Sequence, residues 1–243
     1  MTAFRVMTYN VHRCVGRGGY DSIDDIAALC ADARADVIAM QELDAPETDD
    51  GEGVHHARDL ADRLGMTLLF CRTFRRGVGY YGHALLGRTA LELVKVTTFP
   101  APSPSAEPRG AIWARTALAG GRSVSVISTH LGLGRRERSM QSLELLSAAW
   151  LGSAEMVEPV ILCGDLNAVP NASTHRRLSV RLRDAQRSLR ARPKATFPSL
   201  LPVLRIDHVF VSPRVRVLGA EVPWNARSRR ASDHLPLIVD LDL

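Results

Sequence analysis

Short apolar runs that stop at an acidic, amide or imidazole side chain recur along this chain, and they limit what it can fold into. Phe4–Tyr9 stops at Asn10, Val37–Met40 at Gln41-Glu42, Val124–Ser128 at Thr129-His130, and Val160–Cys163 at Gly164-Asp165-Leu166-Asn167. Two more polar groups precede or enter a run: Asp207-His208 after Ile206, and Ser232-Asp233-His234 before the last apolar stretch. Runs this short, rich in Val, Ile and Leu and bounded by Gly, Pro or charged residues, predict strands. A strand that ends in such a side chain holds it at the rim of a core. Several rims on one sheet edge make a site.

The same reasoning predicts strands over Phe4–Asn10, Val37–Gln41, Met66–Cys71, His83–Arg88, Leu91–Thr98, Gly110–Leu118, Ser123–His130, Pro159–Gly164, Ile206–Ser212, Val215–Val222 and Leu235–Asp240. Helices are predicted over Ser22–Ala33, with Ile23, Ile26, Ala27 and Cys30 on one face, and over Val54–Leu64, before a Gly65 stop. A third, Arg135–Leu151, carries Met140, Leu143, Leu146 and Trp150 as a core-facing stripe. Helices between strands in both halves imply a mixed α/β domain with helices covering the sheets. Pro100–Pro108 and the acidic Asp44–Gly53 read as loops. Strand patterns continue on both sides of the Pro-rich segment, so residues 1–243 are expected to form a single domain.

Composition narrows the class. Hydrophobic residues make up 46% and charged residues 23%, ordinary for a globular protein. Apolar runs fall well short of the roughly 20 residues that span a bilayer. The N-terminus lacks a signal-peptide pattern, so a cytoplasmic location is expected. Cys14, Cys30, Cys71 and Cys163 are scattered, without metal-ligand spacing, and read as reduced thiols. The net charge of +5 comes almost wholly from Arg, since Lys occurs only at positions 95 and 194. Arginine suits an anionic substrate, although a solvated surface accounts for the charge at least as well.

The rim residues match one task. Glu42, Asp165 and Asp233, with Asn10 and Asn167, are hard oxygen donors that suit Mg²⁺ or Mn²⁺. His130 and His234 can move protons near neutral pH, and a carboxylate such as Asp207 can fix a histidine tautomer. Each has a plain alternative: Asn10 as a turn cap, Glu42 as the start of an acidic loop, Asp165 and Asn167 as a turn. His12, His55, His56, His83, His175 and His208 read as structural, with His12 and His83 set apart because each adjoins a candidate motif. Asp240 and Asp242 read as solvated.

Taken together, eight blocks resemble the endonuclease/exonuclease/phosphatase superfamily. They are Thr8-Tyr9-Asn10-Val11-His12, Gln41-Glu42, Gly82-His83-Ala84-Leu85-Leu86, Pro108-Arg109-Gly110-Ala111, Ser128-Thr129-His130, Gly164-Asp165-Leu166-Asn167, Ile206-Asp207-His208-Val209-Phe210-Val211-Ser212 and Ser232-Asp233-His234-Leu235-Pro236-Leu237. They follow the family's order across nearly the whole chain. The resemblance implies a four-layer α/β sandwich of two packed mixed β-sheets flanked by helices. It implies Glu42 as the principal metal ligand, with Asn10 and Asp233 beside it. Asp165 and Asn167 would orient the attacking water or the phosphate, and Asp207 would pair with His234. His130 would contact the phosphate and assist the leaving group, and Arg109 would fork onto phosphate oxygens.

The activity so implied is Mg²⁺-dependent (Mn²⁺ as an alternative) hydrolysis of a phosphodiester, with His234 taking a proton from water attacking in line. The substrate stays open between nucleic acid, which would make it an endonuclease, and a phospholipid or inositol-type headgroup. Gln41-Glu42-Leu43 and Thr129-His130-Leu131 depart from the abasic-site nucleases and look more like the sphingomyelinase, deadenylase and secreted-deoxyribonuclease side. They are also similar to small bacterial members suspected of acting near phospholipid metabolism. A non-catalytic phospholigand binder is disfavoured, because the ligands and the His–Asp pair are all present. No obligate protein partner is evident. The Arg-rich stretch His175–Lys194 suits nucleic-acid backbone or anionic headgroups, or forms a solvated helical face; it lacks interleaved aromatics for base stacking.

Overall fold

Twelve strands are laid down in chain order: β1 (Ala3–Asn10), β2 (Val37–Pro46), β3 (Thr67–Arg76), β4 (Gly79–Gly87), β5 (Leu91–Thr98), β6 (Gly110–Ala117), β7 (Ser123–His130), β8 (Val160–Asp165), β9 (Arg183–Asp184), β10 (Asp207–Val211), β11 (Arg216–Glu221) and β12 (Leu237–Asp242). The computed structural model describes residues 3–48, 53–103 and 106–243. Residues 1–2, and residues 49–52 and 104–105 of the two predicted loops, lie outside the described residues. The strands form two six-stranded sheets, ordered β11-β12-β1-β2-β4-β3 and β5-β6-β7-β8-β10-β9. Each is mixed, with one parallel pair: β1 with β2, and β7 with β8.

Side-chain alternation decides what each face holds. Phe4 and Val6 of β1, Val37 and Ala39 of β2, Val124 and Val126 of β7, Ile161 and Cys163 of β8, and Val209 and Val211 of β10 share one core between the sheets. The intervening residues face outward. Met7, Tyr9, Ile38 and Met40 pack under α1 (Ile23–Ala33) and α2 (His56–Leu64). Ile127, Leu162 and Phe210 pack under α3 (Arg135–Leu146) and α4 (Ser173–Leu178), with Leu145, Trp150 and Leu178. The short α5 (Ala226–Ala231) adds Ala231 to the first of these outer cores. Burying each large aliphatic side chain contributes about 1.5–3 kcal/mol. The result is the α/β sandwich implied by the resemblance.

The third predicted helix needs correction. It ends at Leu146, and Met140 and Leu143 are exposed. Its buried face is Glu137, Gln141, Ser142 and Leu145. That face is chosen by hydrogen bonding: Gln141 Oε1 accepts from Gly132 N at 2.9 Å, and Glu137 Oε2 accepts from Gly134 N at 3.3 Å. These amides would otherwise lack a partner in the loop after His130. Trp150 is buried, but from the turn beyond the helix. The Arg-rich stretch is α-helical only to Leu178 and beyond that holds a single 3₁₀ turn, Gln186–Ser188, so it forms no extended helical face. Asp240 and Asp242 pair with Arg5 at 2.6 Å and with Arg216 at 2.9 Å. The four cysteines are buried and free. No helix among the described residues is long and apolar enough to cross a membrane.

Candidate active site

The alternation that builds the inter-sheet core also builds the site. Continuing the inward positions past the last apolar residue leads to Asn10 on β1, His130 on β7, Asp165 on β8 and Asp207 on β10. Strand register sets three of them side by side, His130 opposite Asp165 and Asp165 opposite Asp207. Asn10 approaches from the other sheet, and its Nδ2 donates to Asp165 Oδ2 at 3.1 Å and to Glu42 Oε1 at 2.9 Å.

Glu42 reaches this point through a bulge. The register of β2 against β4 slips between Gln41 and Leu43, and Glu42 sits at φ 63°. A bulge of this kind re-aims one side chain while the ladder continues on both sides. Asn167 is also left-handed, at φ 47°. That turn lets its N–H donate to Asp165 Oδ1 at 2.8 Å and its Nδ2 donate to Leu131 O at 2.9 Å. Gly164, at φ 147°, precedes Asp165 where any Cβ would overlap the Thr129 carbonyl.

Asp207 is fully buried, and its Oδ2 lies 2.9 Å from His234 Nδ1. The same oxygen accepts from Thr196 Oγ1 at 2.5 Å. The Phe197 ring packs against the imidazole with centroids 4.8 Å apart. His234 Nε2 is left 3.8 Å from Asp165 Oδ2. Burial works against a charge on His234, but the Asp207 carboxylate and its hydrogen bond, helped by Asp165 and Asp233, win and push the imidazole up to about 10. Burial and the Asp207 charge push Asp165 up to about 7, against the pull of His234 and the amides of Asn167 and Asn10. His130 is held well below the usual histidine range by burial, and then by Arg109, His83 and His234. Its Nδ1 lies 3.4 Å from Arg109 Nη1. Arg109 is itself buried and pairs with the exposed Glu107 at 2.8 Å.

Glu42, Arg109, His130, Asp165, Asn167, Asp233 and His234 line one cleft of about 690 Å³, and Asn10 and Asp207 bond to Asp165 and His234 of that lining. The nine residues singled out from the sequence therefore converge. His12 also lines the cleft, and His83 is buried behind it, driven down to about 3 by burial and Arg109. Thr196, Phe197 and Glu107 are not legible in the sequence: none ends an apolar run, and each acts only through contact with another side chain of the site. His175 and His208 do have a partner, in a second buried cluster around Asp184.

Two packed mixed sheets with such a cleft at their strand ends define a phosphoesterase fold. The sequence model of the Endonuclease/Exonuclease/phosphatase family matches residues 7–234, and the chain belongs to that family, whose members are hydrolases acting on phosphate esters. YbhP of Escherichia coli (strain K12), described as an uncharacterized protein, is 26% identical over 252 residues, covering 99% of this chain and 97% of its own. The mannosyl-6-phosphatase Bt3783 of Bacteroides thetaiotaomicron VPI-5482 superposes with a TM-score of 0.81 at 22% identity, covering 99% of this chain and 100% of that one. D. rerio TDP2 complexed with single strand DNA product superposes with a TM-score of 0.74 at 17% identity, covering 100% of both chains. At these identities the two structures share the fold with this chain; their substrates are their own.

Proposed function

We propose that the protein is a divalent-metal-dependent phosphoesterase that hydrolyses a phosphodiester by in-line attack of water, with residues 1–243 acting as one catalytic domain. The observation that carries this reading is the buried His234–Asp207 pair at 2.9 Å, with Nε2 facing Asp165 and the cleft.

Glu42, Asn10 and Asp233 would hold Mg²⁺, or Mn²⁺ in its stead. The donor chemistry fits. Glu42, Asp165, Asp207 and Asp233 bring four carboxylates together around His234 and the cation Arg109. Asp207 Oδ1 is buried without a hydrogen-bond partner. Such a set favours a hard cation with oxygen ligands. Bound there, the metal supplies positive charge that offsets the phosphate anion and the charge that develops on it.

The chain's own residues do the rest. Asp207 fixes the His234 tautomer with Nδ1 protonated, so Nε2 is the atom that takes a proton from water. Asp165 and Asn167 orient that water or the phosphate. His130, kept neutral by burial and Arg109, donates an N–H toward a phosphate or leaving-group oxygen. Arg109 presents its fork to the phosphate. The four buried free thiols support a cytoplasmic location, which cell fractionation would check.

Hydrolysis of bis-p-nitrophenyl phosphate tests the reading. Activity should require Mg²⁺, vanish with chelator and vanish in His234→Ala; equal rates in wild type and variant would refute it. A panel of plasmid DNA, RNA, phosphatidylglycerol, cardiolipin, inositol phosphates and sugar monophosphates then separates nuclease, phospholipase C-like and phosphatase chemistry. Phosphate release from a sugar phosphate, and not from any diester, would move the assignment to monoesters.

A further inference from the structure

The outer lip of the cleft is apolar, and it is tied down. Leu133 is 74% exposed, Leu201 69%, Val203 67% and Val78, at the β3–β4 hairpin tip, 93%. Leu133, Val169 and Leu204 line the cleft, as does Arg76 of the hairpin. Val203 lines an adjoining groove that shares Val169. The 199–204 loop is anchored beside the site: Ser199 N donates to Asp233 O and Ser199 Oγ to Ser232 O, each at 2.7 Å. Trp224, itself half exposed, donates its indole N–H to Ser199 O at 3.1 Å. A fixed loop that still presents Leu201 and Val203 to water marks an interaction surface.

Charge says what that surface meets. Residues 169–206, which include the 199–204 loop and line the groove, contain eight arginines and Lys194 against Asp184 as their one carboxylate. Asp184 is buried and pairs with Arg205 at 2.6 Å. Arg187, Arg190 and Arg192 are exposed and, among the described residues, make no ion pair. Exposed aliphatic tips beside unpaired arginines complement an anionic bilayer, in which the aliphatics enter the acyl boundary and the guanidinium groups meet headgroup phosphates. Single-stranded nucleic acid would call for several aromatic platforms in succession, whereas here Trp224 alone accompanies the exposed aliphatic tips among the described residues.

We propose that this lip docks on an anionic phospholipid membrane, so that the cleft receives a phosphodiester headgroup presented at the lipid surface. The docking stands on the surface alone; only the fate of the headgroup rests on the phosphoesterase reading.

The test is cosedimentation of the full chain with phosphatidylcholine vesicles and with the same vesicles doped with phosphatidylglycerol. The chain should sediment with the doped vesicles, return to the supernatant as salt rises, and stay in the supernatant when the vesicles are neutral. Leu201→Asp with Val203→Asp should weaken that binding by about tenfold or more. Arg190→Ala and Arg192→Ala should each weaken it by about fivefold. Unchanged bis-p-nitrophenyl phosphate hydrolysis in these variants would show that the fold and the cleft are intact. Equal binding to neutral and doped vesicles, or no loss in the Asp double variant, would overturn the proposal. So would plasmid binding that the same variants weaken equally, because the lip would then serve nucleic acid. Docking as expected, with no hydrolysis of soluble or lipid diester, would sink the phosphoesterase reading and leave the docking standing.

Discussion

Replacing Asp207 with Asn removes one charge and almost no volume, and it isolates what the carboxylate does. Asp207 is fully buried, with His234 Nδ1 at 2.9 Å and Thr196 Oγ1 at 2.5 Å on the same oxygen. In the proposed step His234 becomes an imidazolium beside it. Two unit charges about 4 Å apart interact by about 4 kcal/mol at an effective dielectric of about 20. A bound metal beside His234 would favour the neutral imidazole in the ground state, and the attraction is then felt only in the transition state, where the loss falls. About 4 kcal/mol is about a thousandfold in kcat. The Asn side chain can also turn its NH₂ toward Nδ1, which protonates Nε2 instead and adds to the loss. The assay is steady-state hydrolysis of bis-p-nitrophenyl phosphate at saturating Mg²⁺, with kcat and KM separated and urea unfolding as the fold control. We expect kcat to fall about a thousandfold while KM moves little. A variant as stable as wild type that keeps kcat within about fivefold would remove the His234–Asp207 pair from the chemistry.

Three further outcomes follow from the geometry. Glu42→Gln deletes a carboxylate that the bulge aims at the site, so the Mg²⁺ concentration for half-maximal activity should rise by about tenfold or more; an unchanged Mg²⁺ titration refutes the ligand role. Gly164→Ala drives a Cβ into the Thr129 carbonyl at a backbone angle other residues avoid, and should destabilise the protein by about 3 kcal/mol or more in urea; a loss under about 1 kcal/mol would mean that the strands yield. Burial raises Asp184, but its hydrogen bond with His175 and the Arg205 charge hold the acid well below the usual carboxylate range. With the folded value depressed, its stabilisation is present above about pH 4 and is lost as pH falls below that. Wild type should therefore lose stability more steeply than Asp184→Asn under acid, and parallel curves in the two proteins would contradict the assignment.

Much of the site was legible because strand alternation is local. The apolar runs that stop at Asn10, His130 and Asp165 carry their inward parity in the sequence, and the structure keeps it. Helix faces were less legible. The Met140–Leu143 stripe has the right spacing, yet α3 turns Glu137 and Gln141 inward to satisfy the Gly132 and Gly134 amides. The helices Ser173–Leu178 and Ala226–Ala231 are too short for periodicity to declare them.

Which side chains point inward, and where each strand runs out of apolar residues, is written in period-two patterns a few residues long. Which of those ends meet is not. Asp165 touches Asn10 across 155 positions, and Asp207 meets His234 across 27, in a corner where Thr196 and Phe197 pack on the pair. Glu42 enters through a one-residue slip of register that no local propensity encodes. Neighbours in a strand are set by bond geometry, whereas neighbours in the cleft are set by sheet order and packing, which depend on the whole chain at once.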